Sequence, residues 1–218
     1  GWKISQQIKY HTTVNKELNR AIDRVDYFLG HSEFEYEFLK LHWPNLPPFI
    51  QRPYSDKLSI ANQSFPRSNQ IVIGNSRNSF NNHLDILSLI KQSNHRANYS
   101  FLLLFNYGTH NTYTDKVKRE ALQITEVTIL EEFLPYEKFI EIYSTSCAFV
   151  LNSYRQLAMA NIFRALISGV KIYLNRKNII YNWLKNEKFC IFLIEDFAID
   201  LETGNVKLTE KEAAHNFE

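Results

Sequence analysis

The chain has 218 residues, a formal net charge of +2, 44% hydrophobic and 14% aromatic residues, and only six Gly and six Pro. That composition excludes disordered and fibrous classes and predicts a packed globular protein, with one good core or a core and a smaller appendage. The charge is too mild for the dense phosphate neutralisation of a nucleic-acid binder, so no nucleic-acid partner is expected.

No apolar stretch approaches the ~18 residues of a spanning helix, and no secretory leader is visible, so the expected location is cytoplasmic. Cys147 and Cys190 lie in the apolar runs SCAFVL and FCIFLI and read as reduced thiols buried in strands. Cysteine and histidine are not clustered at zinc-ligand spacing, so neither a metal nor a cofactor is expected. The chain opens with Gly1-Trp2 rather than Met, which reads as a trimmed start.

Residues 1–54 read as a mainly helical remnant of an N-terminal domain. Ile4, Ile8, Val14, Leu18, Ile22 and Val25 recur at largely helical spacing. The DYFLG run is a candidate strand ending at Gly30, and a helix follows, with Ser32 as its cap and Glu35 completing a capping box. Three prolines between His42 and Pro48 end that helix. Residues 55–69, polar and containing Pro66, read as a linker.

From Gln70 strand and helix alternate. Predicted strands are 71–74, 101–105, 127–130, 147–152, 170–175 and 190–194, with helices through 84–92, 115–123, 135–144, 157–168 and 179–185. Continuous apolar strands separated by helices predict an α/β domain over residues 70–218: a Rossmann-like parallel sheet covered by helices on both faces.

Ligands of such sheets bind beyond the carboxyl ends of the strands, which directs attention to the loops there. After the first strand come Gly74, Asn75, Ser76, Arg77 and Asn78, a tight turn followed by hydroxyl, amide and guanidinium groups suited to phosphate. The G-x-G-x-x-G spacing is missing, so a plain polar loop is the competing reading. Asn152 to Gln156 follow the fourth strand, and Arg155, at a helix start, is the leading candidate for a diphosphate contact. Its bland alternative is a solvent-facing arginine.

Tyr107 and Gly108 offer a stacking ring and close backbone approach, or simply a surface turn. Glu131 and Glu132 follow the third strand and suit ribose or sugar hydroxyls, or are merely solvated. His83 reads as a capping or packing residue rather than a catalyst.

The opening Gly1-Trp2-Lys3, the run Ile71 to Ser76 with Asn82-His83 beyond, the Arg155-Gln156 pair, and Gly169-Val170 to Leu174-Asn175-Arg176 with Trp183 carry a resemblance spread over about residues 1–195. The sequence resembles the bacterial TDP-N-acetylfucosamine:lipid II N-acetylfucosaminyltransferases, also called 4-alpha-L-fucosyltransferases. The resemblance implies a GT-B architecture, of which this chain is the C-terminal part plus the end of a truncated N-terminal domain. It also implies inverting, metal-independent transfer of a fucosamine-type sugar, from a TDP-linked donor to a polyprenyl-diphosphate-linked saccharide, with the catalytic base in the N-terminal domain.

By that likeness Asn75, Ser76, Arg155 and Gln156 belong to the donor site; Gly74, Arg77, Tyr107, Gly108 and Glu132 join them as candidates from the loop reading. The family's glycine-rich turn after the arginine and glutamine is replaced here by Leu157-Ala158-Met159-Ala160-Asn161, whose side chains narrow the approach to phosphate. A non-catalytic Rossmann-like module binding a nucleotide or a protein partner is the alternative, and a GT-B-type epimerase a further one. Trp2, Lys3, Lys9 and Lys16 suit peripheral contact with an anionic membrane on its cytoplasmic face, or a helix packed on a sheet.

Overall fold

Near-continuous burial along the central strands of this chain sets its layers, and the computed structural model describes residues 15–52 and 68–217. The readings for Trp2 to Val14 and for nearly all of the 55–69 linker lie outside the described residues. The chain divides into two compact units, Gly1–Ser55 and Asp56–Glu218.

In the first unit α1 (Asn15–Ile22) precedes β1 (Phe28–Gly30), α2 (Glu33–Lys40) and β2 (Phe49–Gln51). The Ser32 hydroxyl caps α2 by accepting from the Phe34 N–H at 3.1 Å. β1 and β2 pair in parallel, an arrangement whose second strand was not foreseen behind the prolines. Their inner side packs Phe28, Phe49 and Tyr36 ring to ring, and the Tyr36 hydroxyl donates to the Pro47 carbonyl at 3.0 Å.

The second unit contains β3 (Gln70–Ile73), α3 (His83–Gln92), β4 (Ser100–Leu104), α4 (Thr112–Ala121), β5 (Val127–Leu130) and α5 (Tyr136–Thr145). It continues with β6 (Ala148–Leu151), α6 (Met159–Ile167), β7 (Lys171–Leu174), α7 (Ile179–Asn186), β8 (Phe192–Leu193), α8 (Ile194–Thr203) and α9 (Glu210–Phe217). The sheet order is β5-β4-β3-β6-β7-β8, every pair parallel.

Ile71 and Ile73 point to one face with Ile86, Leu87 and Phe197, whereas Val72 points to the other with Tyr143, Ile162 and Leu184. Both faces are therefore sealed by helices, and the α/β, Rossmann-like class read from the sequence is the class observed.

Two expectations need correction at the last strand. Residues 190–194 do not form one strand: β8 is two residues long, because the Asp196 carboxylate accepts from the Leu193 N–H at 2.8 Å and starts α8 at Ile194. Cys190 consequently lies before the strand and is only partly buried, whereas Cys147 is buried as expected. Both are free thiols. Helices α8 and α9 were not foreseen. Asn216 fixes α9 by accepting from the Cys190 N–H at 2.7 Å and donating to its carbonyl at 3.1 Å. Lys171, 2.7 Å from Asp200, joins α8 to β7 in a buried ion pair that also takes the Tyr173 hydroxyl.

Candidate functional site

The strand order places a switch point between β3 and β6: from β3 the chain builds toward β4 and β5, then crosses back to β6. The crevice outside the carboxyl ends of those two strands is where ligands of open α/β sheets bind. Four of the strands lead into an asparagine there: Asn75, Asn106, Asn152 and Asn175.

Three of these residues tie the loops together. Asn152 is the hub: its carbonyl accepts from Asn82 Nδ2 at 2.7 Å, its Oδ1 from Asn175 Nδ2 at 2.6 Å, and its Nδ2 donates to Asp85 at 3.3 Å. One residue, through its carbonyl and its side chain, thus links the loops after β3, β6 and β7. Asn75 donates to the Tyr107 hydroxyl at 2.8 Å and brings the β4 loop in. Asn106 is different, since its buried Oδ1 has no hydrogen-bond partner among the described residues.

The loop after β3 is closely packed. Gly74 has φ +65°, and a Cβ there would meet His83 Nε2 at 2.9 Å, so both the backbone and the space require glycine. Asn81 Oδ1 accepts from the Asn75 N–H, and its amide donates to the Ser76 carbonyl and hydroxyl. Arg77 is only 8% exposed; its Nε and Nη2 donate to the Phe105 carbonyl at 2.9 and 2.7 Å, and Nη1 contacts His110. Gly108, at φ +107°, lets the Arg77 stem pass, because a Cβ there would lie 2.8 Å from Arg77 Cγ.

Beneath this loop His83 is fully buried. Its N–H donates to the Tyr113 hydroxyl at 3.0 Å, and burial lowers its pKa to about 4, so the ring is neutral near pH 7. Burial likewise raises the Tyr113 phenol above its ordinary value. The packing role expected of His83 agrees with this geometry.

The loop after β6 is built differently. Arg155 is exposed, and its guanidinium carbon lies 4.0 Å from the Phe80 ring centroid, stacked on an aromatic face rather than held by a carboxylate. The Ser153 hydroxyl accepts from its N–H, and Asn178 Nδ2 donates to its carbonyl at 2.9 Å. Gln156 follows, half-buried. Ala158 then enters α6 in the left-handed region, φ 56°, without a side-chain cap. Among the described residues the N–H groups of Met159, Ala160 and Asn161 have no hydrogen-bond partner, leaving the positive end of α6 open toward the crevice.

The structure therefore brings Gly74, Asn75, Ser76, Arg77, Tyr107 and Gly108 together on one side of the switch point, with Arg155 and Gln156 in the adjoining loop. It does not bring in Glu132, which is exposed beyond edge strand β5, two strands from β3. Glu131 is paired with Lys118 at 2.5 Å. Phe80, Asn81, Asn82, Asn175 and Asn178 were not among the site candidates read from the sequence, although Asn82 and Asn175 lie in runs that carry the family likeness. The recurrence of asparagine after successive strands was the available signal for one of them, Asn175; nothing local marks Phe80 as the platform for an arginine seventy-five residues away. Among the described residues there is no group of three or more His, Cys, Asp or Glu able to hold a metal ion, and no helix is long and apolar enough to cross a membrane.

A parallel sheet covered on both faces, with polar loops at its switch point, defines a Rossmann-like domain, the fold of the GT-B glycosyltransferases to which the chain is similar. The chain belongs to the 4-alpha-L-fucosyltransferase family, glycosyl transferase group 56, whose profile matches residues 45–214. A comparison with curated proteins finds no matching sequence.

Solved structures with the same fold include the pneumococcal O-GlcNAc transferase GtfA with UDP and GlcNAc, at 13% identity, TM-score 0.64, and coverage of 89% of this chain and 41% of that one. Sucrose-phosphate synthase from Thermosynechococcus elongatus aligns at 11% identity and TM-score 0.68, over 96% of this chain and 60% of that one. A glycosyltransferase from Rickettsia africae aligns at 14% identity and TM-score 0.63, over 100% of this chain and 62% of the other. The chain thus spans less than two thirds of each of these proteins.

Proposed function

We propose that the crevice at the β3–β6 switch point binds a nucleoside-diphosphate sugar and that this chain supplies the donor side of a glycosyl transfer. The observation that carries the reading is Arg155: a cation resting on an aromatic ring, beside the open N-terminus of α6, in a chain of a glycosyltransferase family. Those groups suit a diphosphate, and UDP in a structure of the same fold supports a nucleotide donor.

The donor is a TDP-linked fucosamine-type sugar and the acceptor a polyprenyl-diphosphate-linked saccharide. Residues 70–218 form the donor domain, 55–69 the linker, and 1–54 part of an acceptor-facing domain. The parallel pairing of β1 and β2 supports this last assignment, because two parallel strands are ordinarily part of a larger covered sheet. The protein works in the cytoplasm at the membrane surface, where a polyprenyl-linked acceptor resides.

Transfer is an inverting single displacement. A base in the acceptor-facing domain takes the proton of the acceptor hydroxyl as its oxygen attacks the anomeric carbon. The bond from that carbon to the diphosphate breaks, and its electron pair leaves with the nucleotide. Arg155 and the α6 N–H groups stabilise the growing charge. Gly74, Asn75, Ser76, Tyr107, Gly108 and Gln156 shape the donor pocket; Arg77 braces it from within.

Arg155→Met is expected to weaken thymidine diphosphate binding in calorimetry by about 1.5–3 kcal/mol, the range for a charge-assisted hydrogen bond. Unchanged affinity would overturn the donor-site assignment.

A further inference from the structure

The loop after β7 holds a second cation at the same end of the sheet. Lys177 is exposed, and its ammonium lies 5.0 Å from the centroid of the Tyr154 ring, the residue immediately before Arg155. We propose that Lys177 is the partner of Arg155 in binding the nucleotide, the two cations taking the two phosphates of the diphosphate; the proposal rests on the donor-site reading above.

Two observations, and the chemistry of the two side chains, support the pairing. The loops that carry the two cations are fastened to each other twice, by Asn175 Nδ2 on Asn152 Oδ1 at 2.6 Å and by Asn178 Nδ2 on the Arg155 carbonyl at 2.9 Å. Asn175 also accepts from the Lys177 N–H at 2.9 Å and sets where that side chain departs. Lys177 is therefore not an independent surface lysine but one anchored to the Arg155 loop.

Secondly, both cations rest on exposed aromatic rings, Arg155 on Phe80 and Lys177 on Tyr154. The neighbouring Arg176, by contrast, has Glu195 3.8 Å away. An exposed ring holds a cation weakly and leaves its charge unneutralised, so a phosphate can draw it off the ring. As for the chemistry, lysine serves phosphate as a mobile point charge whereas arginine offers a planar fork. A forked cation clasping one phosphate and a point charge following the other suit a diphosphate that moves as it leaves the sugar.

The test is isothermal calorimetry on the 218-residue chain with thymidine diphosphate and thymidine monophosphate as probes. Lys177→Met is expected to weaken diphosphate binding about tenfold and monophosphate binding less than threefold, with Lys177→Arg restoring most of the loss. Because Lys177 is exposed, unchanged thermal unfolding of Lys177→Met confirms that the fold is intact. If Arg155→Met weakens the diphosphate and Lys177→Met does not, the Lys177 assignment fails and the donor site stands. If neither substitution has an effect, or the diphosphate does not bind, the donor-site reading fails with it. Equal losses for the two probes overturn the assignment of Lys177 to the second phosphate.

Discussion

The loops after β3 and β6 leave the same end of the same sheet, and each carries an arginine that the sequence offers as an anion contact. Arg77 is 8% exposed and bonded to the Phe105 carbonyl; Arg155 is exposed and stacked on Phe80. One guanidinium is committed to the protein, the other is available to a ligand. A buried arginine whose donors are satisfied within the fold is a brace, and an exposed one on an aromatic platform is a binder. The two loops are thus a rigid wall and a receptive wall of one crevice.

The largest effect that separates the walls is on stability. Arg77→Met removes two charged donors from a buried carbonyl and is expected to destabilise the fold by about 2–4 kcal/mol, measured by urea unfolding. Arg155→Met is expected to stay within about 0.5 kcal/mol of the parent. A destabilisation of equal size in both variants would dissolve the distinction.

The rigid wall also carries a pH signature. The buried His83 ring has a folded pKa of about 4 against an ordinary 6.5, burial being the main cause. A depressed histidine is neutral in the native state while the unfolded chain takes up the proton. Stability at His83 is therefore intact above pH 6.5 and lost as pH falls toward 4. The slope is at most ~1.4 kcal/mol per pH unit. Below about 4 the native state takes up the proton as well, and the slope vanishes. His83→Gln is expected to flatten the unfolding-free-energy profile between those limits; a profile as steep as the parent's would show that other groups govern it.

How much of this was legible beforehand differs between framework and site. The sheet was readable because strands such as Ile71–Ile73 and Ala148–Leu151 are buried on both faces, and burial on both faces writes a continuous apolar run. The end of the domain was not, because Cys190 to Ile194 is equally apolar whether it enters a strand or a helix, and a carboxylate three residues on decides. Within the site, Gly74 and Arg155 were visible as residue types after strands. The opposite fates of the two arginines were not, since they depend on Phe105 and Phe80, contacts set by loop geometry rather than by local pattern. The recurrent asparagines were present in the sequence but meaningful only once β3, β6 and β7 lay side by side.

The smallest expected effect lies on the receptive wall at the entry to α6. Ala158 adopts φ 56° and ψ 35° at the entry to α6, a conformation that costs an L-residue about 1–2 kcal/mol because Cβ crowds the following carbonyl. Glycine relieves that crowding but gives back roughly 0.4–1 kcal/mol through the greater freedom of its unfolded chain. Ala158→Gly is therefore expected to stabilise the protein by about 0.5–1 kcal/mol, raising Tm by roughly 2 °C for a chain of this size. Ala158→Val moves the other way by more than 1 kcal/mol, since a β-branched side chain fits the left-handed region worse. Differential scanning calorimetry of the two variants separates a strained turn from a relaxed one. If glycine lowers Tm, the turn carries no strain, and the alanine is then a packing choice rather than a strained residue that α6 tolerates.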